Sequence, residues 1–166
     1  MYDEIFNQKD MINFQNQLIK NKQTITTAES CTGGLIASMI TEISGSSSIF
    51  NGAVITYSNK IKERELDVKK NTMIEFGVVS CEVIEEMLYG VLKKFDADYA
   101  IAVSGIAGPN GGTVDKPVGT VAIGVISKFG DKRIDIFHFK GKRKAVQIQT
   151  AKTALKINFE ILLKNS

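Results

Sequence analysis

The sequence predicts an α/β fold, a three-layer α/β/α sandwich around a mixed, mostly parallel sheet. Apolar and β-branched runs of strand length alternate with longer stretches whose apolar residues recur at helical spacing, as in a sheet covered by helices. A turn at residues 129–132 joins the last two predicted strands, so we expect an antiparallel hairpin and a mixed sheet. A length of 166 residues is typical of one domain, and we expect residues 1–166 to fold as a single unit.

Three helices and two strands are predicted in the first half of the chain. Met11, Phe14 and Leu18 mark one face of a helix over residues 6–20. The β-branched run at 24–27 predicts the first strand. The next elements are a helix at 35–42, a strand at 52–57 and a charged helix at 59–66.

The second half begins with the most regular helix of the chain. Ser80 is a favourable N-cap, and apolar pairs from Val83 to Leu92 recur behind it at helical spacing. The largely apolar run at 99–104 suits a strand that is covered on both faces. A glycine-rich loop over 105–117, strands at 119–127 and 133–139, and a closing helix at 142–164 complete the prediction.

The composition excludes several classes of protein. A net charge of +3, from 21 Lys+Arg and 18 Asp+Glu, is too small to predict a nucleic-acid partner. Cys31 and Cys81 form neither a disulfide framework nor a metal-ligand spacing. No apolar run reaches the ~18 residues of a membrane helix, and no secretory signal opens the chain. We therefore expect a cytoplasmic protein that uses no metal or cofactor and binds no membrane.

The loop after the first predicted strand, residues 27–34, is the first candidate site. Ligands of open α/β sheets bind beyond the carboxyl ends of the strands. The hydroxyl of Ser30 can point into such a cleft, where helix N–H groups would stabilise an oxyanion or a phosphate. The alternative interpretation is that Ser30 or Thr32 caps the following helix and Gly33 and Gly34 make the turn.

Two other loops combine polar residues with strand ends. Lys62 lies in the first turn of the helix at 59–66, where the helix dipole opposes a cation and lowers its pKa, although most lysines are simply solvated. Dense glycines between Ser104 and Thr113 allow backbone N–H groups to approach an anion closely. A flexible turn explains the same glycines equally well.

Histidine and cysteine chemistry is poorly supported. His138, the only histidine, lies in a predicted strand and is best explained as a structural residue, which argues against a Ser-His-Asp triad. Cys31 has no partner histidine to form a thiolate, and we interpret it as a small buried hydrophobe. A hydrolytic reaction here would need a lysine or water as its base.

Five stretches of the chain together form a specific signature. They are TTAESCTGG at 26–34, GSSSIFNGAVITYSNKIK at 45–62, GVVS at 77–80, SGIAGPNGGTVDKPVGTV at 104–121 and, more weakly, KGKRKAV at 140–146. In this combination and order the sequence resembles the CinA C-terminal domain family, the nicotinamide-nucleotide amidases. The resemblance spans nearly the whole chain.

The resemblance implies deamidation of nicotinamide mononucleotide to nicotinate mononucleotide and ammonia, without a metal, by a serine–lysine mechanism. The nucleophile would be Ser30 and the base Lys62, and Tyr57 would belong to the same catalytic site. The residues expected to bind the substrate are Cys31, Thr32, Gly33, Ser104, Gly105, Gly108, Thr113 and Arg143.

One position departs from the family pattern. Members often carry a second arginine four residues after Arg143, and this chain has Gln147. If both arginines bind phosphate, we expect weaker affinity here or a contribution from a neighbouring subunit. Many members also carry an additional N-terminal domain, whereas we expect this chain to be the stand-alone form, assembled as a homodimer or a larger homo-oligomer.

The alternative function is a non-catalytic pyridine-nucleotide sensor or a competence-related binding protein. A degenerate binder would be expected to lose at least one catalytic group. The presence of Ser30, Tyr57 and Lys62 together favours the enzyme.

Overall fold

A five-stranded sheet forms the centre of the protein, with strand order β2-β1-β3-β4-β5. The computed structural model describes residues 1–166. The strands are β1 (Ile25–Glu29), β2 (Phe50–Ile55), β3 (Tyr99–Gly105), β4 (Thr120–Ser127) and β5 (Lys132–His138). The helices are α1 (Gln8–Asn21), α2 (Leu35–Thr41), α3 (Asn59–Leu66), α4 (Lys70–Phe76), α5 (Cys81–Phe95) and α6 (Arg143–Lys164), with a short 3-10 turn at Ser46–Ser48.

The sheet is mixed, as the sequence predicts. β1 pairs in parallel with both β2 and β3, whereas β4 is antiparallel to β3 and to β5. Four strands therefore run in one direction and β4 alone runs in the other. The carboxyl ends of β1, β2 and β3 meet at one edge, where α/β proteins commonly bind ligands.

Helices cover both faces of the sheet and produce two hydrophobic clusters. The larger cluster of 22 buried residues joins α1, α2 and α6 to one face, and a cluster of 14 joins α3, α4 and α5 to the other. The alternation along β3 shows the division: Tyr99 and Ile101 pack in the larger cluster, and Ala100 and Ala102 in the smaller. The three-layer α/β/α prediction is confirmed. No helix combines the length and the apolar composition that crossing a bilayer requires.

The element ends predicted from local signals agree with the structure to within about two residues. α3 has the predicted bounds, and the Ser80 hydroxyl accepts a hydrogen bond from Val83 N at the start of α5, as expected of an N-cap. α4 was not predicted. Only Met73 of this helix is buried, so it has no clear apolar face, and its N-cap residue makes no side-chain hydrogen bond. The carboxylate of Glu86 on α5 caps it instead, accepting from Lys69 N at 2.8 Å and from the Thr72 hydroxyl at 2.8 Å.

We expect Gly90→Ala to destabilise the protein, although alanine favours a helix by about 1 kcal/mol over glycine. A Cβ at residue 90 would lie 2.2 Å from the carbonyl oxygen of Leu66, the last residue of α3, so α3 and α5 would have to separate. Urea unfolding should show a net loss of about 1–3 kcal/mol in the free energy of unfolding. The exposed helix position Lys93→Ala is the control and should change it by less than about 0.5 kcal/mol. An unchanged Gly90→Ala would contradict the close approach.

Candidate active site

A cavity of about 240 Å³ lies at the edge where β1, β2 and β3 end. Ser30 directly follows β1, Tyr57 follows β2 by two residues, and Ser104 and Gly105 end β3. The residues that line the cavity are Ser30, Cys31, Tyr57, Asn59, Lys62, Val78, Val79, Ser104, Gly105, Ile106, Ala107 and Arg143. The three loops that the sequence singles out therefore meet around one space.

Lys62 reaches the serine of the first loop from the floor of this cavity. The Ser58 hydroxyl caps α3 by accepting from Ile61 N, which fixes the first turn of the helix that carries Lys62. Lys62 Nζ lies 3.4 Å from Ser30 Oγ and donates a hydrogen bond to the Thr56 carbonyl at 2.8 Å. The arrangement places an amine and a hydroxyl within reach of proton transfer.

The lysine is buried without a counter-charge. Its residue is only 2% exposed, and none of the ion pairs of the structure includes it. Burial lowers the pKa of Lys62 below its usual 10.5, with a smaller opposing effect from the neighbouring Cys31. A neutral amine that donates one N–H to Thr56 still has a lone pair to accept the Ser30 proton.

The helix after the Ser30 turn, α2, is capped by a residue that the sequence analysis missed. The N-cap of α2 is Gly34, which has no side chain to donate or accept, so the interpretation of Ser30 or Thr32 as a helix cap is wrong. The buried carboxylate of Glu29 accepts instead from Ile36 N and Ala37 N, at 2.9 Å each. Glu29 ends a strand of β-branched residues, and only its position beside Ser30 in the sequence could have drawn attention to it.

Two further contacts hold the same turn. Ser30 N donates to the Val103 carbonyl of β3, and the side chain of Gln147 on α6 donates to the Cys31 carbonyl at 2.9 Å. The backbone N–H groups of Cys31 and Thr32 donate no hydrogen bond within the chain. Unpaired backbone N–H groups beside a reactive hydroxyl are the kind of donor that stabilises a developing oxyanion.

Cys31 adjoins Ser30 but is not prepared for nucleophilic attack. It is 5% exposed, and burial raises the pKa of its thiol to about 12. A thiol of that pKa is protonated at neutral pH, so Cys31 stays the small buried group that the sequence indicates.

Tyr57 and Arg143 lie together at the cavity mouth. Arg143 donates to the Tyr57 hydroxyl at 2.7 Å and to the Gly108 carbonyl at 2.9 Å, and thereby connects the loops after β2 and β3 to the start of α6. The ring of Tyr57 is exposed, and its hydroxyl makes no hydrogen bond to Lys62. Tyr57 therefore does not orient Lys62 through a direct hydrogen bond.

Four of the expected substrate-binding residues do not line the cavity. Thr32 is buried and donates to Glu29 at 2.7 Å, and Gly33 forms the turn with a left-handed φ of +59°. Gly108 contributes only its carbonyl to Arg143, and Thr113 caps a turn at Lys116 on the exposed loop. Lining residues that reasoning missed are Asn59, Val78, Val79, Ile106 and Ala107. Each lies within one of the five stretches that resemble the family, and this position was the only indication in the sequence that they could line the site.

Comparison with known proteins identifies the family of this chain. The model of the "CinA C-terminal domain" family matches residues 8–162. The chain belongs to the CinA C-terminal domain family. It is 47% identical over 141 residues to "Nicotinamide-nucleotide amidohydrolase PncC" of Enterobacter agglomerans, covering 85% of this chain and 86% of the relative.

Other relatives are longer, and solved structures share the fold. A "CinA-like protein" of Endomicrobium trichonymphae is 51% identical over 138 residues, which are 83% of this chain and 32% of the relative. The chain thus spans about a third of the length of the CinA-like proteins that it matches. A "Competence-Damaged Protein (CinA) Superfamily Protein" of Klebsiella pneumoniae superimposes with a TM-score of 0.88 at 32% identity, covering 93% of this chain and 96% of that one.

The histidine of this CinA domain lies apart from the cavity. His138 is on the outermost strand β5, where its ring faces the Thr120 hydroxyl at 3.3 Å. It is not among the lining residues. The base nearest to Ser30 in the cavity is therefore Lys62.

We expect Lys62→Met to stabilise this CinA domain near neutral pH by about 1–2 kcal/mol, because it removes a buried amine that has no counter-charge. The folded wild type binds fewer protons than the unfolded chain between the lowered pKa of Lys62 and 10.5. Its free energy of unfolding should therefore rise with pH across that window relative to the variant. Urea unfolding at several pH values measures both effects.

The control for this prediction is Lys60→Met, an exposed lysine on the same helix. It should change the free energy of unfolding by less than about 0.5 kcal/mol at any pH. Parallel pH dependence in wild type and Lys62→Met would show that Lys62 titrates normally.

Proposed function

We propose that this CinA domain hydrolyses the carboxamide of nicotinamide mononucleotide, giving nicotinate mononucleotide and ammonia, with Ser30 as nucleophile and Lys62 as general base. The supporting observation is the 3.4 Å approach of a buried, uncompensated lysine amine to a serine hydroxyl inside a cavity. Two relatives, of which the match covers 86% and 87%, carry the name nicotinamide-nucleotide amidohydrolase. The reaction belongs to pyridine-nucleotide salvage.

The first half of the reaction acylates the serine. Neutral Lys62 takes the Ser30 proton as Oγ attacks the carboxamide carbon, and the carbonyl oxygen becomes an oxyanion. The free N–H groups of Cys31 and Thr32 are the candidate donors to that oxyanion. The resulting Lys62 ammonium then protonates the leaving nitrogen, the C–N bond breaks and ammonia departs.

The second half regenerates the enzyme. Lys62, neutral again, takes a proton from a water molecule that attacks the acyl carbon. The ester bond to Ser30 Oγ breaks, and Lys62 returns the proton to that oxygen. The product leaves as a carboxylate, and the proton that its acid form loses is taken up by the released ammonia, so at neutral pH the products are a carboxylate and an ammonium ion.

Arg143 is the proposed phosphate ligand. It is the cationic lining residue at the cavity mouth, and two of its N–H groups hold Tyr57 and Gly108 while the others are free. A pyridinium ring inserted toward Ser30 would pass the exposed ring of Tyr57 and leave its phosphate near this guanidinium. Gln147 is neutral and contacts the Cys31 carbonyl, so phosphate binding here relies on one arginine.

We expect Ser30→Ala and Lys62→Ala each to reduce ammonia release from nicotinamide mononucleotide by at least about a thousandfold, because neither half of the pair acts alone. The matched control is Lys60→Ala, which removes an exposed lysine from the same helix and should retain activity. Ammonia and nicotinate mononucleotide are measured in the presence of a chelator.

Three results would contradict the proposal. Turnover retained in Ser30→Ala would indicate direct attack by water. Turnover abolished by the chelator would indicate a metal-dependent reaction. Nucleotide binding by the wild type without any turnover would favour the pyridine-nucleotide sensor.

We expect Arg143→Ala to raise KM for nicotinamide mononucleotide by about tenfold to a hundredfold, the range for a lost hydrogen bond to a charged group. The effect on the dephosphorylated riboside should be much smaller, since that substrate has no phosphate to bind. Lys144→Ala removes the neighbouring exposed cation and serves as the control. Equal losses on both substrates would assign Arg143 to the ring or to Tyr57 instead of the phosphate.

A further inference from the structure

Glu29 is a fully buried carboxylate that the reaction scheme does not use. All four of its hydrogen bonds come from the chain around the nucleophile. One oxygen accepts from the Thr32 hydroxyl at 2.7 Å and Ile36 N at 2.9 Å, and the other from the Thr27 hydroxyl at 3.1 Å and Ala37 N at 2.9 Å. Charge-assisted bonds of this kind are strong, and each oxygen is doubly satisfied.

The same residue is connected to both members of the reacting pair. Its carbonyl carbon is bonded to the nitrogen of Ser30, and its carbonyl oxygen accepts from Thr56 N at 2.8 Å. The Thr56 carbonyl in turn holds Lys62 Nζ at 2.8 Å. A displacement of Glu29 would therefore be transmitted both to Ser30 and to the carbonyl that accepts from Lys62.

The carboxylate also pairs with some of the backbone N–H groups that follow Ser30 and leaves others without a hydrogen bond. It occupies the N–H groups of Ile36 and Ala37, whereas those of Cys31 and Thr32 have no acceptor in the chain. The Thr32 hydroxyl is held by Glu29, which fixes the peptide that carries one of the free groups.

We propose that Glu29 is a positioning residue for amide hydrolysis, one that holds the Ser30 turn in register with Lys62 and keeps the N–H groups of Cys31 and Thr32 directed to the reacting oxygen. The inference rests on the proposed function of the same site. Glu29 touches no substrate in this scheme and transfers no proton. Its effect on the rate passes through the geometry of Ser30.

The test is Glu29→Gln, which keeps the shape but replaces one acceptor oxygen by an NH₂ that must face the N–H of Ile36 or Ala37. We expect kcat for nicotinamide mononucleotide to fall by about a hundredfold, the cost of a nucleophile displaced by roughly 1 Å, with KM changed less than about threefold. Binding residues are untouched, so a loss confined to kcat separates positioning from substrate binding.

The matched control is Asp98→Asn. Asp98 directly precedes β3 and lies beside the start of β1, whereas Glu29 ends β1. Asp98 is another buried carboxylate; it accepts from Thr24 N at 2.7 Å and pairs with Lys128. Its amide variant should lose stability in a comparable way but keep kcat. Both variants are assayed below their unfolding transitions, as established by thermal denaturation.

Several outcomes overturn the inference. An unchanged kcat in Glu29→Gln, an equal loss of kcat in Asp98→Asn, or a loss confined to KM would each show that Glu29 does not position the nucleophile. Recovery of kcat on cooling the variant would assign the loss to unfolding.

A second measurement keeps this test separate from the proposed function. A fluorophosphonate reports the reactivity of Ser30 without any nucleotide. Ser30 Oγ displaces fluoride from phosphorus, the hydroxyl proton is lost, and the covalent adduct is detected by mass spectrometry. Slow labelling of Glu29→Gln beside rapid labelling of wild type and Asp98→Asn would support the inference even if nicotinamide mononucleotide is not hydrolysed. Equal labelling rates in all three, or no labelling of wild-type Ser30, would overturn it, whereas the proposed function is decided by ammonia release.

Discussion

The burial of Lys62 without a counter-charge is the constraint on which the candidate site depends. A buried ammonium is costly unless an opposite charge compensates it, and here the amine has only the Thr56 carbonyl and the Ser30 hydroxyl as partners. Burial alone therefore drives the amine toward its neutral form. A carboxylate in the cavity would stabilise the protein but would keep the lysine protonated.

The fold supplies this environment by bringing strand ends and helix starts together. β1 ends at the turn that carries Ser30, β2 ends one residue before Thr56, and the capped first turn of α3 directs Lys62 back toward both. The only carboxylate bonded to this turn, that of Glu29, is taken up by four donors. The Glu29 carboxylate thus holds the backbone of this turn and makes no hydrogen bond to Lys62.

Gln147 illustrates how one departure from the family pattern changes the site. An arginine at this position would add a cation close to the cavity, whereas the glutamine amide donates to the Cys31 carbonyl. α6 therefore contributes a cation from its first residue, Arg143, and one helical turn later a neutral side chain, Gln147, that supports the turn carrying Ser30. The proposed phosphate ligand and the side chain that supports the Ser30 turn therefore lie four residues apart, on one face of the same helix.

The sequence by itself determined the fold class, the order of the strands and helices along the chain, and the loops that meet at the cavity. These features depend on local patterns: β-branched runs, helical apolar spacing, caps such as Ser58 and Ser80, and glycines at turns. Only α4 escaped, because its cap comes from Glu86 on another helix.

The tertiary structure alone decided which loop residues face the cavity and which carboxylate caps α2. Thr32, Gly33, Gly108 and Thr113 belong to the right loops but not to the lining, and Glu29 acts through atoms up to eight residues away. Sequence patterns fix the periodicity of each element and the identity of its ends. The direction of an individual side chain at a strand end depends on packing between layers, which no local pattern encodes.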